Sequence, residues 1–285
     1  MAVYDQSYAP WEGTLAPRWR RVAAIVQMEI ARPFRSFWVR LVVGTAFAIT
    51  TGWLLILFFA ASQQTLPVQL AGTRIYRGGF LNFPLFSMIL LSLSATVGAP
   101  MISRDLRHNA LVLYFSRSIT RADYLAGKYA ALVLFLLAAT LGPGLLLFLG
   151  QLGMGTERLT TRERLADLGA LTLHALVLTA PLSAVVLGFS ACARRGYVAS
   201  ILWISVYFAF QIAAGVLENL LKVEWPRLLS WQRITAHLGD LCYREPAADP
   251  QLQTGWAAPL AIVLGAAVLG LAVAWRRLRS VEGRE

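Results

Sequence analysis

Residues 129–151 read YAALVLFLLAATLGPGLLLFLGQ, a run of 23 positions without Asp, Glu, Lys, Arg or His. Wound as an α-helix, such a run is about 35 Å long, enough to cross a bilayer core of about 30 Å. A helix is the only open segment whose backbone polar groups are all satisfied within it, so lipid leaves no other conformation for this stretch. Five further windows of the same kind flank it, at 41–61, 83–103, 168–191, 197–217 and 257–275. The whole chain of 285 residues is 57% hydrophobic and 14% charged, with mean hydropathy +0.58; a soluble domain is about 25% charged. The expected fold is all-α: a polytopic membrane protein with six transmembrane helices.

The net charge of +11 is distributed in a way that orients those helices. Segments sharing a side with both termini hold 17 of the Lys and Arg residues and the other three loops hold nine. The positive-inside rule therefore predicts both termini in the cytoplasm. A nucleic-acid footprint would cluster on one surface, whereas these cations are spread over every segment of one side, so no nucleic-acid partner is expected. Arginine outnumbers lysine 24 to two, the usage of GC-rich bacterial genomes, so the expected location is a bacterial inner membrane. Cys192 and Cys242 fall at opposite ends of the predicted spans and cannot pair.

Outward from the spans, residues 1–17 are polar and aperiodic and read as a mobile cytoplasmic tail. Residues 18–38 alternate Val22, Ile25, Val26 and Ile30 with arginines at helical spacing, which predicts an amphipathic interface helix bent by Pro33 into span 1. It serves either as a passive anchor on anionic lipid or as an elbow that moves with a partner. Residues 39–285 form the six-span domain. Pro143 in span 3 and Pro181 in span 4 are helix breakers with the chemistry of a hinge or pathway, and Gln211 is a polar residue inside span 5. Between spans 5 and 6, Leu228, Trp231, Ile234, Leu238 and Leu241 recur every three or four residues, predicting an outer helical loop over 218–255. Pro143, Pro181, Gln211 and Trp231 are the candidate pathway or gate residues.

Several chemistries are missing from the sequence. There is no P-loop, nucleophile elbow or metal-binding His spacing. The spans hold no Asp, Glu, Lys or Arg, which disfavours proton or sodium coupling. No enzyme activity, metal or cofactor is expected in this chain, and any energy for movement has to come from another one.

The largest inward loop runs over 104–128. Residues 104–115, RDLRHNALVLYF, predict a short helix with an apolar edge of Leu111, Tyr114 and Phe115 and a wet side of Arg104, Asp105 and Arg107. Apolar knobs on a charged helix fit the groove of a partner protein. Thr120 and Asp123 then make a capping pattern that opens a helix continuing into span 3, with Arg121 and Lys128 seven apart on one face.

At these residues the chain resembles the permease subunits of ABC-2 class ABC exporters. That family has an acidic residue on a short helix, a Leu-rich step, an Arg-Pro-aliphatic run, a Ser/Thr-Arg pair and a Gly-Lys opening span 3. Here Asp105, Leu111 to Phe115, Arg117, Ile119, Thr120, Arg121, Gly127 and Lys128 match it, while Ser118 replaces the proline and His108 to Ala110 a Gly-Thr step. The resemblance implies a homodimer, with a separate ATP-binding subunit under each copy carrying ATP and magnesium, and accessory periplasmic or surface proteins as further partners. Asp105, Leu111, Tyr114, Phe115, Arg117, Thr120, Arg121 and Lys128 would form the coupling segment, and Arg194 and Arg195 a second contact. A membrane scaffold of the same fold that moves no substrate is the alternative.

Overall fold

The computed structural model of the chain describes residues 17–62, 81–115, 119–154, 160–223, 225–243 and 255–282. Six of its helices are long and apolar enough to cross a membrane, and no strand occurs among the described residues. The tail at 1–16 and Arg117 lie outside them.

Helix α1 (Arg18–Ala31) leads through a 3-10 turn at Pro33–Arg35 into α2 (Phe37–Ser62), the first span. Span 2 is composite: α3 (Pro84–Leu93), a π-turn at Ser94–Gly98, and α4 (Pro100–Arg107). A short helix α5 (Ala110–Phe115) precedes span 3, α6 (Arg121–Gly153). Spans 4 and 5 are α7 (Thr161–Cys192) and α8 (Gly196–Leu221). A 3-10 turn (Trp225–Leu229) and helix α9 (Trp231–Cys242) precede span 6, α10 (Ala257–Glu282).

The helices overrun the apolar windows because a window ends at its first charge and a helix ends at its caps. Thr120 and Asp123 form a capping box, the Asp123 N–H donating to Thr120 Oγ1 at 3.2 Å and the Thr120 N–H to Asp123 Oδ2 at 3.3 Å. Thr160 and Glu163 repeat the arrangement at the start of span 4.

Two expectations about breaks are corrected. Residues 104–115 do not make one helix: α4 stops at Arg107, and Asn109 takes a left-handed conformation with φ 50° before α5 begins. Asparagine tolerates that region better than other residues with a side chain beyond glycine. Span 3 runs through Pro143 and span 4 through Pro181 as continuous helices, and the span that changes its winding is span 2, ahead of Pro100. A proline ring collides with the carbonyl four residues back in an α-helix. The π-turn relieves this, the Ala99 N–H reaching back five residues to the Ser94 carbonyl at 3.0 Å.

The core lies in spans 2, 3 and 4, whose apolar windows are 61%, 50% and 67% buried. In spans 1, 5 and 6 the figures are 17%, 17% and 22%, leaving apolar faces turned outward as helices in lipid require. Helix α9 packs on spans 4 and 6 and is more enclosed than its sequence period indicates. Besides Ile234 and Leu238 it buries Thr235, His237, Gly239 and Asp240, while Leu241 is 40% exposed.

Candidate functional site

Three elements meet at the end of the bundle that carries α1. Lys128, about two turns into span 3, is fully buried. Its Nζ lies 2.6 Å from Glu29 Oε1 on α1 and 2.7 Å from Asp105 Oδ2 at the end of span 2, and donates to the Met101 carbonyl at 3.4 Å. Tyr124 Oη donates to Asp105 Oδ2 at 2.7 Å, and its ring lies under the ammonium at 5.4 Å. Two carboxylates thus share one ammonium, and the remaining negative charge is offset by Arg32 and Arg104, 3.8 and 3.9 Å from Glu29. Burying charges costs several kcal/mol per ion, on the order of what pairing returns, so such a cluster fixes geometry more than it adds stability. Here it fixes α1, span 2 and span 3 to one another.

Gly127 lets this happen. A Cβ built there would lie 2.9 Å from Ile25 Cγ2, inside contact distance, so only glycine lets α1 lie this close to span 3. Asp123 adds a second tie, its carboxylate pairing with Arg18 while it serves the capping box.

The short helix α5 is oriented differently from its expected edge. Leu111 is 1% exposed and packs into the core, and Tyr114 and Phe115 are half-buried with their rings 5.3 and 6.2 Å from Tyr124. The outward apolar residues are Val112 and Leu113, 51% and 64% exposed. Asp105, expected to stay wet, is buried on Lys128, whereas Arg107 is exposed. Burial, followed by the negative charge of Asp105, holds the Tyr114 phenol above its ordinary pKa. Arg121 is half-buried at the first turn of span 3, and Thr120 is its cap.

The turn carrying Arg194 and Arg195 lies beside the altered part of span 2. Both arginines are exposed, and Arg195 donates to Tyr197 Oη at 3.0 Å, a bond that raises the guanidinium pKa. Just inside, spans 4 and 5 satisfy the polar groups that the π-turn and Pro100 release. Ser190 Oγ accepts from the Ile102 and Ser103 N–H groups at 2.8 and 3.1 Å, acting as an N-cap supplied from another helix. Ser200 Oγ donates to the Ala95 carbonyl at 2.6 Å, and Trp203 Nε1 to Ser94 Oγ at 3.0 Å.

At the opposite end, Gln211 joins span 5 to the start of α9. Its Nε2 donates to Gln232 Oε1 at 3.2 Å, and its Oε1 accepts from Ser230, the α9 N-cap. Glu218 holds the same segment through Arg227, at 2.6 Å, and Arg233. Asn82 Nδ2 donates to Asp240 Oδ1 at 3.0 Å. Behind α9 is a cavity of about 30 Å³ lined by Asn82, Trp203, Tyr207, Trp231, Gln232 and Thr235 among others, about the space of one water. Trp231 is thus at the cavity with Gln211 close by, while Pro143 and Pro181 are buried within their own helices and do not line it. His174 of span 4 is fully buried against Gly239, and neither ring nitrogen has a hydrogen-bond partner among the described residues. No group of three or more His, Cys, Asp or Glu with metal-site geometry occurs among the described residues.

Sequence reading found Asp105 and Lys128 but missed Glu29, Tyr124 and Ser190 as their companions. Glu29 had a signal: it is the one acid in a helix of arginines and apolar residues. Ser190 had none, since a serine near a span end gives no hint of a proline 90 positions earlier. Compared with known protein families and with curated proteins, the sequence matches none.

Proposed function

We propose that this chain is the membrane-spanning subunit of an ABC exporter of the ABC-2 class, working as a homodimer in a bacterial inner membrane with both termini in the cytoplasm. The observation that carries the reading is the Lys128 cluster. It ties the helix before span 1, the end of span 2 and the start of span 3 into one block, and α5 projects from that block with Val112 and Leu113 outward. A separate ATP-binding subunit, holding ATP and magnesium, docks on α5, with the Arg194–Arg195 turn as a second contact. Its movement passes from α5 across the turn at Asn109 to Asp105 and Lys128, and so into spans 2 and 3. Helix α9, latched by Glu218 and Gln211, closes the far end. Accessory periplasmic or surface proteins meet it there.

The alternative is a membrane scaffold of the same fold that moves no substrate. A single experiment separates the two. The chain is co-expressed with a candidate ATP-binding subunit taken from a neighbouring gene, and any complex is purified and assayed for ATP hydrolysis. The transporter reading expects a complex that Val112→Asp/Leu113→Asp abolishes, and a cavity that opens through the ATP cycle. A missing complex overturns both the docking role and the family reading, and a complex whose α9 never moves leaves the scaffold.

A further inference from the structure

The elbow between α1 and span 1 carries cations that the fold does not neutralise. Residues Arg18 to Arg40 include six arginines and one acid, Glu29, and that acid is buried on Lys128. Arg18 pairs with Asp123, and Arg32 reaches Glu29. Arg35 and Arg40 are exposed and have no carboxylate partner among the described residues. Between them stand Phe37 and Trp38, 63% and 68% exposed, their rings 5.9 Å apart edge to face.

The depth of this patch is fixed by the neighbouring span. Phe34 lies edge-on against Phe135 at 5.6 Å, and Phe135 is seven residues beyond Lys128 along span 3, about 10 Å at the helical rise. The elbow therefore lies about 10 Å farther along span 3 than the ionic cluster, while its last residue, Arg40, immediately precedes the apolar window of span 1 at 41–61, where that span meets the polar boundary. Exposed aromatics and arginines at that height are what the headgroup band selects, the rings at the interface and the long guanidinium stems reaching up to it. Guanidinium groups bind phosphate oxygens with two parallel hydrogen bonds.

We infer that Arg35 and Arg40, with Phe37 and Trp38 between them, form a binding site for the headgroup of an anionic phospholipid of the bilayer. The lipid phosphate supplies the negative charge that the protein withholds, and its acyl chains run along the exposed aromatic face of span 1. Occupancy holds the elbow, and with it Glu29, against Lys128. This inference needs only that the spans cross a bilayer and does not depend on an ATP-binding partner.

The test is native mass spectrometry of the purified full chain, equilibrated with an equimolar mixture of phosphatidylglycerol and phosphatidylcholine in detergent micelles. The wild type is expected to retain phosphatidylglycerol preferentially, and added inorganic phosphate is expected not to displace it. Each arginine near a membrane surface contributes about fivefold, so Arg35→Gln/Arg40→Gln should weaken retention by about 25-fold. Arg194→Gln/Arg195→Gln removes the same charge from another exposed turn and should leave retention within about twofold of wild type. Equal loss in both pairs means general charge attraction and overturns the site. So does unchanged retention in the elbow pair, or displacement by phosphate, which would indicate a site for a free anion. Both pairs alter exposed side chains only, and the elution profile of each variant checks that it is folded.

Discussion

Lys128 Nζ lies 2.6 Å from Glu29 Oε1, joining residues 99 positions apart on the helix before span 1 and the helix of span 3. Both groups are out of contact with solvent, and Asp105 completes the set from span 2 at 2.7 Å. Breaking such a cluster from one side is costlier than deleting it whole.

Lys128→Met should therefore destabilise the protein by about 3–5 kcal/mol, since it leaves Glu29 and Asp105 buried without their counter-charge. The triple variant Glu29→Gln/Asp105→Asn/Lys128→Met should recover most of that loss. Unfolding of detergent-solubilised protein by denaturant measures both. A triple variant no better than the single one would mean that the ions stabilise the fold on balance, contrary to a positioning role.

Gly127→Val should displace α1 from span 3, because its side chain would occupy the place of Ile25. Trypsin should then cleave within α1 faster than in wild type. Adding Ile25→Ala opens the space again and should slow cleavage toward the wild-type rate; no rescue would mean that Gly127 acts some other way.

Ser190→Ala removes the acceptor for two N–H groups that Pro100 and the π-turn leave free inside the bundle. Leaving a buried donor unsatisfied costs about 1–3 kcal/mol, and the unfolding free energy should fall by that amount. A change within about 0.5 kcal/mol, the size of an ordinary surface substitution, would show that span 2 finds other acceptors.

Cys242 on α9 reports on the latch at the far end. Burial, and then the charge of Asp240, push its thiol pKa up, so its thiolate forms at higher pH than that of a free thiol. In a Cys192→Ser background, alkylation by a water-soluble maleimide should rise with pH along a curve displaced to the alkaline side. Glu218→Gln removes the carboxylate that Arg227 and Arg233 share, loosens α9 and should move the curve back toward a free thiol. An unmoved curve would mean that Glu218 does not hold the segment.

What was legible in the sequence follows physical lines. Six apolar windows were visible because lipid imposes one rule on 20 consecutive residues, and the Thr120 cap because its partner Asp123 is three residues away. Contacts set by tertiary packing were not. Leu111 and Val112 are equally apolar, and only the turn at Asn109 decides that Leu111 goes inward and Val112 outward. Lys128 read as a surface charge beside Arg121 because seven residues return to one helix face, but that face is fully covered at Lys128, where α1 lies on it, and only half-covered at Arg121. Pro143 and Pro181 stood out as breakers, yet the proline that changes the winding is Pro100, near a window edge where it drew no notice.

The central claim is that α1, the end of span 2 and the start of span 3 move as one block. It is tested by pulsed electron spin resonance on the purified complex with the ATP-binding subunit. Spin labels are placed at Ala24→Cys and Arg107→Cys, both exposed, in a Cys192→Ser/Cys242→Ser background. Between the nucleotide-free and vanadate-trapped states the distance between them should stay within about 2 Å, well short of a one-turn slip of one helix past another. A change of about 5 Å, the size of a one-turn slip, would show that Lys128 joins nothing that moves together and would contradict the account.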